Sequence, residues 1–267
     1  MSTLQKMLLA VWAYRFFIVS SIKTEFKSRF ARSKLGAFWM ILHPLAQVLI
    51  YALILSQIMT AKLPGVTTQY AYPVYILSGM VGWTLFSEIL NKSLNVFISN
   101  GNLLKKMAFP KLALPFIIIG SALINFFIFL VMMFIVFGFL GHVPHHALQW
   151  LPLLVVLTLA LSIGIGLFLG TLNVFIRDIG QMMEVVLNFW FWLTPIVYML
   201  SIVPEKYHAL FMINPMTGIV MGYQNILLYD KAPDFNLLVY PTAFACISLI
   251  LAMIVFYKAR EEMADVL

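Results

Sequence analysis

The chain alternates long apolar runs with short polar connections. Six runs reach the length of about 20 mostly apolar residues that a transmembrane helix needs. They cover residues 37–59, 73–97, 113–140, 151–174, 181–200 and 237–257. The runs are continuous and do not alternate residue by residue, which favours helices over the strands of a membrane barrel. Because helices satisfy their own backbone hydrogen bonds in hydrocarbon, the pattern predicts an all-α integral membrane protein with six transmembrane helices.

Composition supports this fold class. Hydrophobic residues make up 63% of the 267 residues and charged residues only 10%, with a mean hydropathy of +0.97. Soluble domains carry about 25% charged residues. The stretch 112–176 contains no Asp, Glu, Lys or Arg, and a water-exposed fold does not hide so long an uncharged segment. The chain is therefore built for lipid.

The first 36 residues form a separate region. An apolar stretch there is interrupted by Arg15 and is too short to span a bilayer. On a helix, its larger apolar side chains fall within one arc of about 120°, with Arg15 and Lys23 intruding on that arc. This pattern predicts an amphipathic helix in the cytoplasmic interface. A seventh span is the alternative, and it would place the amino terminus outside.

Residues 201–236 are too many for a hairpin between spans. The region combines prolines with two short apolar pieces, 207–213 and 216–228. Neither piece is long enough to cross a membrane. We therefore predict short external helices before the last span, which is followed by a cytoplasmic tail over 258–267.

Lys and Arg are distributed unevenly among the connections. Thirteen lie in residues 1–36, 98–112, 175–180 and the tail, whereas three lie in the opposite connections. Cytoplasmic loops carry the excess of Lys and Arg. The distribution predicts a multi-pass protein with both termini in the cytoplasm.

The sequence lacks the usual signatures of catalysis. It contains no phosphate-binding GxxxxGK[ST] loop and no GxSxG or HExxH motif. We therefore predict neither an enzyme nor a cofactor or metal in this chain. The histidines of GHVPHH are read as solvated loop residues, since no carboxylate is near them in the sequence.

Charged and aromatic residues within the spans are the remaining candidates for a site. Glu88 and Lys92 are spaced to pair on one helix face, and charges in spans are often functional. The full candidate polar network is Arg177, Asp178, Glu184, Glu88 and Lys92. Aromatic side chains could stack on sugar rings in a conduit or pack in the core. The candidates are Trp39, Tyr51, Tyr75, Trp83, Phe86, Trp190, Trp192 and Tyr198.

Four stretches together resemble one family: FKSRFARSKLGAFWMILHPL, NGNLLKKMAFPKLALP, VFIRDIGQMMEVVLNFWFWLTPIVY and INPMTGIVMGYQNIL. They look like the membrane subunits of ABC-2 type exporters of lipid-linked polysaccharide, the O-antigen, capsule and teichoic acid permeases. The resemblance covers nearly the whole chain in order, with the same six-span layout.

The resemblance implies roles for particular residues. It assigns the coupling segment that docks on an ATPase subunit to 102–111, including Lys105, Lys106, Phe109, Pro110 and Lys111. It makes residues 4–33 the interface helix and 207–228 external gate helices, where Gln224 replaces a frequent Arg. Arg29, Arg32 and Lys34 suit either the pyrophosphate of a lipid-linked polymer or anionic headgroups.

The same resemblance implies a location in the bacterial inner membrane and a set of partners. We expect a homodimer with a conduit between its copies, two copies of a cytosolic ABC ATPase that supplies ATP and Mg, membrane lipids, and undecaprenyl-linked polysaccharide, most simply O-antigen. No nucleic-acid partner is expected. Capsular polysaccharide or teichoic acid are alternative cargoes. A gradient-driven secondary transporter and a membrane-embedded transferase are alternative classes, distinguished by what drives transport.

Overall fold

The computed structural model of the chain describes residues 12–30, 36–50, 71–101, 113–259 and 262–266. In this part of the chain the regular elements are helices. In chain order they are α1 Arg15–Phe30, α2 Trp39–Leu49, α3 Ala71–Ser99, α4 Ala113–Phe139, α5 Leu151–Phe175, α6 Asp178–Trp192, α7 His208–Ile213, α8 Pro215–Leu227, α9 Phe235–Ala259 and α10 Glu262–Val266. Short 3-10 turns precede some of them, at Gly36–Phe38, Leu148–Trp150, Leu200–Ile202 and Glu205–Tyr207.

Four of the six predicted spans are confirmed as helices long and apolar enough to cross a membrane. They are α3, α4, α5 with its leading 3-10 turn, and α9. The observed ends of these four α-helices agree with the predicted ends to within two residues, and the 3-10 turn before α5 adds Leu148–Trp150. The sequence pattern succeeds here because each run is bounded by polar or proline-containing segments that end the helix.

The other two predicted spans come out differently. For the first, α2 covers only the beginning, and residues 51–70 lie outside the described part of the chain. For the fifth, predicted over 181–200, α6 begins at Asp178 and already ends at Trp192. A helix of 15 residues is about 22 Å long, which is shorter than the hydrocarbon core of about 30 Å. The predicted boundaries of this span are therefore wrong at its far end.

Helix α3 is the centre of the bundle. It packs against α4, α5, α6 and α8, and most of its side chains are buried. Small residues permit its close approach to α5: a Cβ atom at Gly166 would lie 2.6 Å from the Ser93 Cβ, and one at Gly170 would lie 2.4 Å from the Ser93 carbonyl oxygen. Gly166 and Gly170 of the series Ser162, Gly166 and Gly170 thus pack on α3, and the four-residue spacing of small residues is typical of such a contact.

The two short helices before α9 lie where the sequence predicts them. Asn214 caps α8, because its side chain accepts a hydrogen bond from the Met216 N–H, and Pro215 follows in the first turn. Most of α8 is buried against α3, α5 and α9. Tyr223 is completely buried and touches α3 so closely that a Cβ atom at Gly82 would lie 2.6 Å from its ring. Helix α8 is therefore an integral part of the bundle.

Candidate functional site

The predicted coupling segment falls outside the described residues, with Lys105, Lys106, Phe109, Pro110 and Lys111. Its flanks are described: α3 ends at Ser99 and α4 begins at Ala113. These two helices pack side by side, and Phe97 and Ala113 near their ends are buried. The segment therefore links two adjacent helix ends that are fixed in the bundle.

The predicted contacts to pyrophosphate or headgroups are described only in part. Arg29 lies in the last turn of α1, whereas Arg32 and Lys34 lie outside the described residues. Their role in binding phosphate stays a prediction.

A network of charges joins α1, α3 and α4. The predicted pair of Glu88 and Lys92 is present, with 2.9 Å between Glu88 Oε1 and Lys92 Nζ. Lys92 Nζ also lies 2.8 Å from Glu25 Oε1 and donates to Ser121 Oγ at 2.8 Å. Asn125 donates to Glu88 Oε1 at 2.6 Å. Lys92 Nζ therefore lies within 2.9 Å of acceptors on three different helices.

Sequence reasoning missed three members of this network: Glu25, Ser121 and Asn125. The residues of α4 carry a usable signal, because Ser121 and Asn125 are four apart in an otherwise apolar run. Glu88 and Lys92 on α3 have the same four-residue spacing, so the two polar pairs can face each other on neighbouring helices. Glu25 gives no such signal, since it is 67 residues away from Lys92 and belongs to a helix rich in polar residues.

The remaining charges of the predicted polar network do not join it. Arg177 and Asp178 are exposed where the chain turns from α5 into α6, and Glu184 is exposed on α6. Within the described residues, no ion pair connects Arg177 with Glu184. A buried amide holds this turn instead: Asn173 Nδ2 donates to the Leu94 carbonyl oxygen at 3.1 Å, and its Oδ1 accepts from the Gly180 N–H at 2.9 Å.

The candidate conduit aromatics divide into two groups. Tyr75, Trp83 and Phe86 on α3 are buried within the chain. Trp83 and Phe86 pack against two aromatics of α6, with ring centroids 5.6 Å from Phe191 and 5.1 Å from Trp190. This burial favours the packing interpretation for these three side chains.

The other aromatics are more accessible. Trp192 at the end of α6 is 61% exposed, while Trp39, Trp190 and Tyr198 are half-buried. Tyr51 lies outside the described residues. Trp192 also belongs to a larger exposed apolar face of α6 that no other described helix covers. This face consists of Met182, Val185, Val186, Phe189, Trp192 and Leu193.

The early end of α6 has a local cause. Pro195 has no N–H and disfavours helical backbone in the residue before it. The carbonyl groups that are left without helical partners accept hydrogen bonds from other elements. Tyr75 donates to the Pro195 oxygen at 3.0 Å and to the Tyr198 oxygen at 3.1 Å, and Gln224 donates to the Pro195 oxygen at 2.9 Å.

Asn214 completes this arrangement on the other side of the turn. Its Oδ1 accepts from the Trp190 indole N–H at 2.6 Å, and its Nδ2 donates to the Leu193 oxygen at 3.1 Å. Non-helical backbone within a membrane is tolerated where protein satisfies it. The end of α6 and the start of α8 are thus fixed to each other and to α3.

A second loop contact lies beyond α8. Asp230 adopts a positive φ of 49°, and its carboxylate accepts from the N–H groups of Ala147 at 2.8 Å and His146 at 2.9 Å. Chiefly the Ala147 hydrogen bond, with further ones from His145 and His146, lowers the pKa of Asp230 below its usual value. His142 Nε2 contacts the Leu227 oxygen at 2.8 Å. The predicted loop histidines therefore lie in a loop whose backbone N–H groups are held by the Asp230 carboxylate, a contact that we call the Asp230 clasp. The described residues offer no cluster suited to a metal.

These features define a polytopic helical membrane protein with a charged network near one end of its central helix and an uncovered apolar face on a short helix. The chain belongs to the ABC-2 type transporter family, whose model matches residues 17–228. It is similar to a protein of Myxococcus xanthus named O-antigen export system permease protein RfbA, with 27% identity over 96% of both chains.

Two further relatives show the same extent of similarity. A Klebsiella pneumoniae protein, also named O-antigen export system permease protein RfbA, is 24% identical over 91% of this chain and 92% of its own length. The Escherichia coli protein named Polysialic acid transport protein KpsM is 25% identical over 89% of this chain and 91% of its own length. The resemblance to exporters of this family is thereby confirmed.

Proposed function

We propose that this chain is the permease subunit of an ATP-driven ABC exporter that moves lipid-linked polysaccharide from the cytoplasm across the inner membrane. The proposed cargo is O-antigen carried on undecaprenyl pyrophosphate. The observation that carries the proposal is similarity to a protein named as an O-antigen export permease over 96% of both chains. Similarity of this extent involves the complete bundle rather than one shared segment.

The cargo is tested in a strain from which the gene has been deleted. We expect undecaprenyl-linked polymer to accumulate on the cytosolic side, and a plasmid copy of the gene to restore its export. Accumulation of a capsular polymer instead would favour capsular polysaccharide as the cargo. The similarity to the polysialic acid transport protein supports this alternative. Transport that follows a proton or sodium gradient without ATP would overturn the proposal.

ATP hydrolysis is assigned to a separate cytosolic ABC subunit with its Mg, present in two copies. The proposed dock is the segment 102–111, which connects the packed ends of α3 and α4. Fixed helix ends suit a dock, because a push on the link moves both helices together.

Charge reversal tests this dock. The double variant Lys105→Glu and Lys106→Glu should insert normally and bind or stimulate the ATPase subunit poorly, with export reduced at least about tenfold, which corresponds to roughly 1.4 kcal/mol of lost coupling. Lys206→Glu with Lys231→Glu is the matched control in the opposite connections. Wild-type export in the first variant, or labelling of 102–111 only from outside the cell, would refute the assignment.

A homodimer with a conduit between its copies is the third part of the proposal. The exposed apolar face of α6 supports it, because no other described helix covers that face and a second copy could do so. In a Cys246→Ser background, Val185→Cys should form a crosslink between two copies in membranes, whereas Val239→Cys on α9 should not. The reverse result would move the interface to α9.

A further inference from the structure

Helix α1 packs on α4 with one side. Ile18 is buried on this side, and Ile22 lies so close to Gly120 of α4 that the glycine leaves no room for a Cβ atom. A cleft of about 790 Å³ lies between α1 and the neighbouring parts of α3 and α4, and the ion pair of Lys92 and Glu25 crosses it. The side of α1 that points away from α4 is not covered by another described helix.

This uncovered side changes in character along the helix. Side chains spaced by three or four residues share it, and we call them the outer face of α1: Trp12, Phe16, Val19, Lys23 and Lys27. The first three are exposed apolar side chains, of which Phe16 is 74% exposed, and the last two are exposed lysines. The outer face therefore has an apolar first half and a basic second half.

The sequence predicts a single apolar arc along this helix, and the structure divides it. Ile22 and Phe26 are half-buried, whereas Trp12 and Phe16 are exposed. Arg15, which interrupts the apolar stretch, lies over the rings of Trp12 and Phe16, with its Cζ 4.9 and 4.5 Å from their centroids. The two rings thus accommodate the charge of Arg15 within the apolar half.

The contact with α4 places α1 near the edge of the membrane. Helix α4 has 27 residues and is about 40 Å long, so it exceeds the hydrocarbon core of about 30 Å by roughly 5 Å at each end. Gly120 follows the first residue of α4, Ala113, by seven residues, which is about 10 Å along the axis. A helix that packs there lies where headgroups meet acyl chains, so a lipid surface is the partner that the outer face meets.

The charges of α1 select the kind of lipid. The helix has four basic residues and one acidic residue, Glu25. Glu25 is half-buried and lies 2.8 Å from Lys92, whereas Lys23 and Lys27 are exposed and form no ion pair with another described residue. The ammonium groups of these two lysines can therefore donate to phosphate oxygens, and basic side chains near a membrane surface attract anionic lipids.

We propose that the outer face of α1 binds a membrane surface rich in anionic phospholipid, of the phosphatidylglycerol type. Trp12 and Phe16 lie among the upper parts of the acyl chains, and Lys23 and Lys27 contact the headgroup phosphates. The helix enters the lipid with its first half and stays at the level of the headgroups with its second half. The inference is independent of the cargo and of the ATPase partner, since it concerns the lipid beside the bundle.

The lipid preference is tested on the purified full-length chain in nanodiscs of phosphatidylcholine. A bimane label is attached at Val19→Cys in a Cys246→Ser background, and a small fraction of the lipid carries a nitroxide, on either phosphatidylglycerol or phosphatidylcholine. The phosphatidylglycerol probe should give the same quenching at a fraction at least about fivefold lower, the factor for one lysine near an anionic surface. Equal quenching by both probes would overturn the proposal. Quenching by aqueous iodide and by neither lipid would also overturn it, and would assign the outer face to water or to a protein partner.

Two pairs of substitutions locate the binding. Lys23→Gln with Lys27→Gln should remove most of the difference between the two lipid probes, and raised ionic strength should reduce this difference in the wild type. Lys206→Gln with Lys231→Gln is the matched control, because it removes the same charge from exposed lysines in the opposite connections, and it should keep the difference. An unchanged preference in the first pair would exclude the outer face as the binding surface.

A last variant separates the apolar half from the basic half. Phe16→Gln should reduce quenching by both lipid probes and leave their ratio unchanged, because the first half lies less deep in the lipid without the ring. Phe139→Gln, at an 87% exposed position at the end of α4, is the control and should quench as the wild type does. Unchanged quenching in Phe16→Gln would show that the ring does not enter the lipid, and the placement of the first half would fail.

Discussion

At the amino-terminal end of α3 neutral side chains hold the surrounding backbone, whereas towards its carboxyl-terminal end the contacts to α1 and α4 are charged. The first end contains Tyr75, Gln224 and Asn214, which bond to the turn after α6 at distances of 2.8 to 3.1 Å. The second end contains Lys92 with its two carboxylates beside an open cleft. We call the hydrogen-bonded amino-terminal end of α3 the closed end and the charged end beside the cleft the open end.

The difference indicates how each end responds to change. Buried neutral groups are costly to leave unpaired, and the rings around them leave no room for larger side chains. Partly exposed charges are stabilised by solvent as well as by their partners, so each pair contributes less. We therefore expect a substitution that adds atoms at the closed end to be more destabilising than the removal of a charge at the open end.

The largest effect is expected from Gly82→Leu at the closed end. A Cβ atom there would lie 2.6 Å from the ring of Tyr223, which is completely buried. Overpacking of this kind costs about 3 kcal/mol, so the folded fraction recovered in detergent should fall sharply in size-exclusion analysis. Gly138→Leu on α4 is the control, because nothing lies within 4 Å of its Cβ position. Comparable yields of the two variants would contradict a closed end.

The next effect is expected from Lys92→Met at the charged end. The substitution leaves Glu25 and Glu88 near each other without the cation that joins them, and breaking such a partly buried network costs about 2 kcal/mol. Thermal unfolding in detergent should show the loss, and raised ionic strength should reduce the difference from the wild type. Lys92→Arg keeps the cation and should retain most of the stability. A neutral effect of Lys92→Met would mean that the network is dispensable.

A smaller effect is expected from Tyr75→Phe, which keeps the ring and removes the hydroxyl. The Pro195 carbonyl keeps Gln224 as a donor, whereas the Tyr198 carbonyl loses the contact at 3.1 Å. A net loss of about 1 kcal/mol is expected. Tyr207→Phe is the matched control, since Tyr207 is 47% exposed. If both variants unfold at the same temperature, the tyrosine does not hold the turn.

The sequence predicts well what depends on long runs and local spacing. Helices α3, α4, α5 and α9 are visible as apolar runs, and the pair of Glu88 and Lys92 follows from their four-residue separation. The small-residue series on α5 predicts a close helix contact, although its partner Ser93 could not be identified from the sequence. In each of these cases the determining residues are neighbours along one helix.

What depends on distant residues was not predictable in the same way. Hydropathy extends the fifth span through Pro195 because the run stays apolar. Pro195 ends the helix early, at Trp192, and the donors from α3 and α8 that compensate the open carbonyl groups are distant in sequence. The pairing of Glu25 with Lys92 needs the path of α1 across α4. The partner of Asp230 is a backbone segment more than 80 residues away, and backbone donors leave no pattern of side chains.

The smallest effect is expected at Asp230, which lies outside the bundle beyond the closed end. Its folded-state pKa is depressed, so its contribution to stability is present above the ordinary pKa of 3.8 and is lost as the pH falls through the folded-state value. Wild-type unfolding temperature should therefore decrease on acidification below about pH 4 more than that of Asp230→Asn. Above that range the variant should be slightly less stable, because an amide is a weaker acceptor for the Ala147 and His146 N–H groups.

Asp234→Asn is the matched control. That carboxylate accepts from the Asn236 N–H at 3.0 Å within its own turn, so its removal does not release the loop before α5. Identical acid profiles of wild type and Asp230→Asn would mean that the clasp adds nothing to the closed end, whose rigidity would then rest on α8 and the turn after α6 alone.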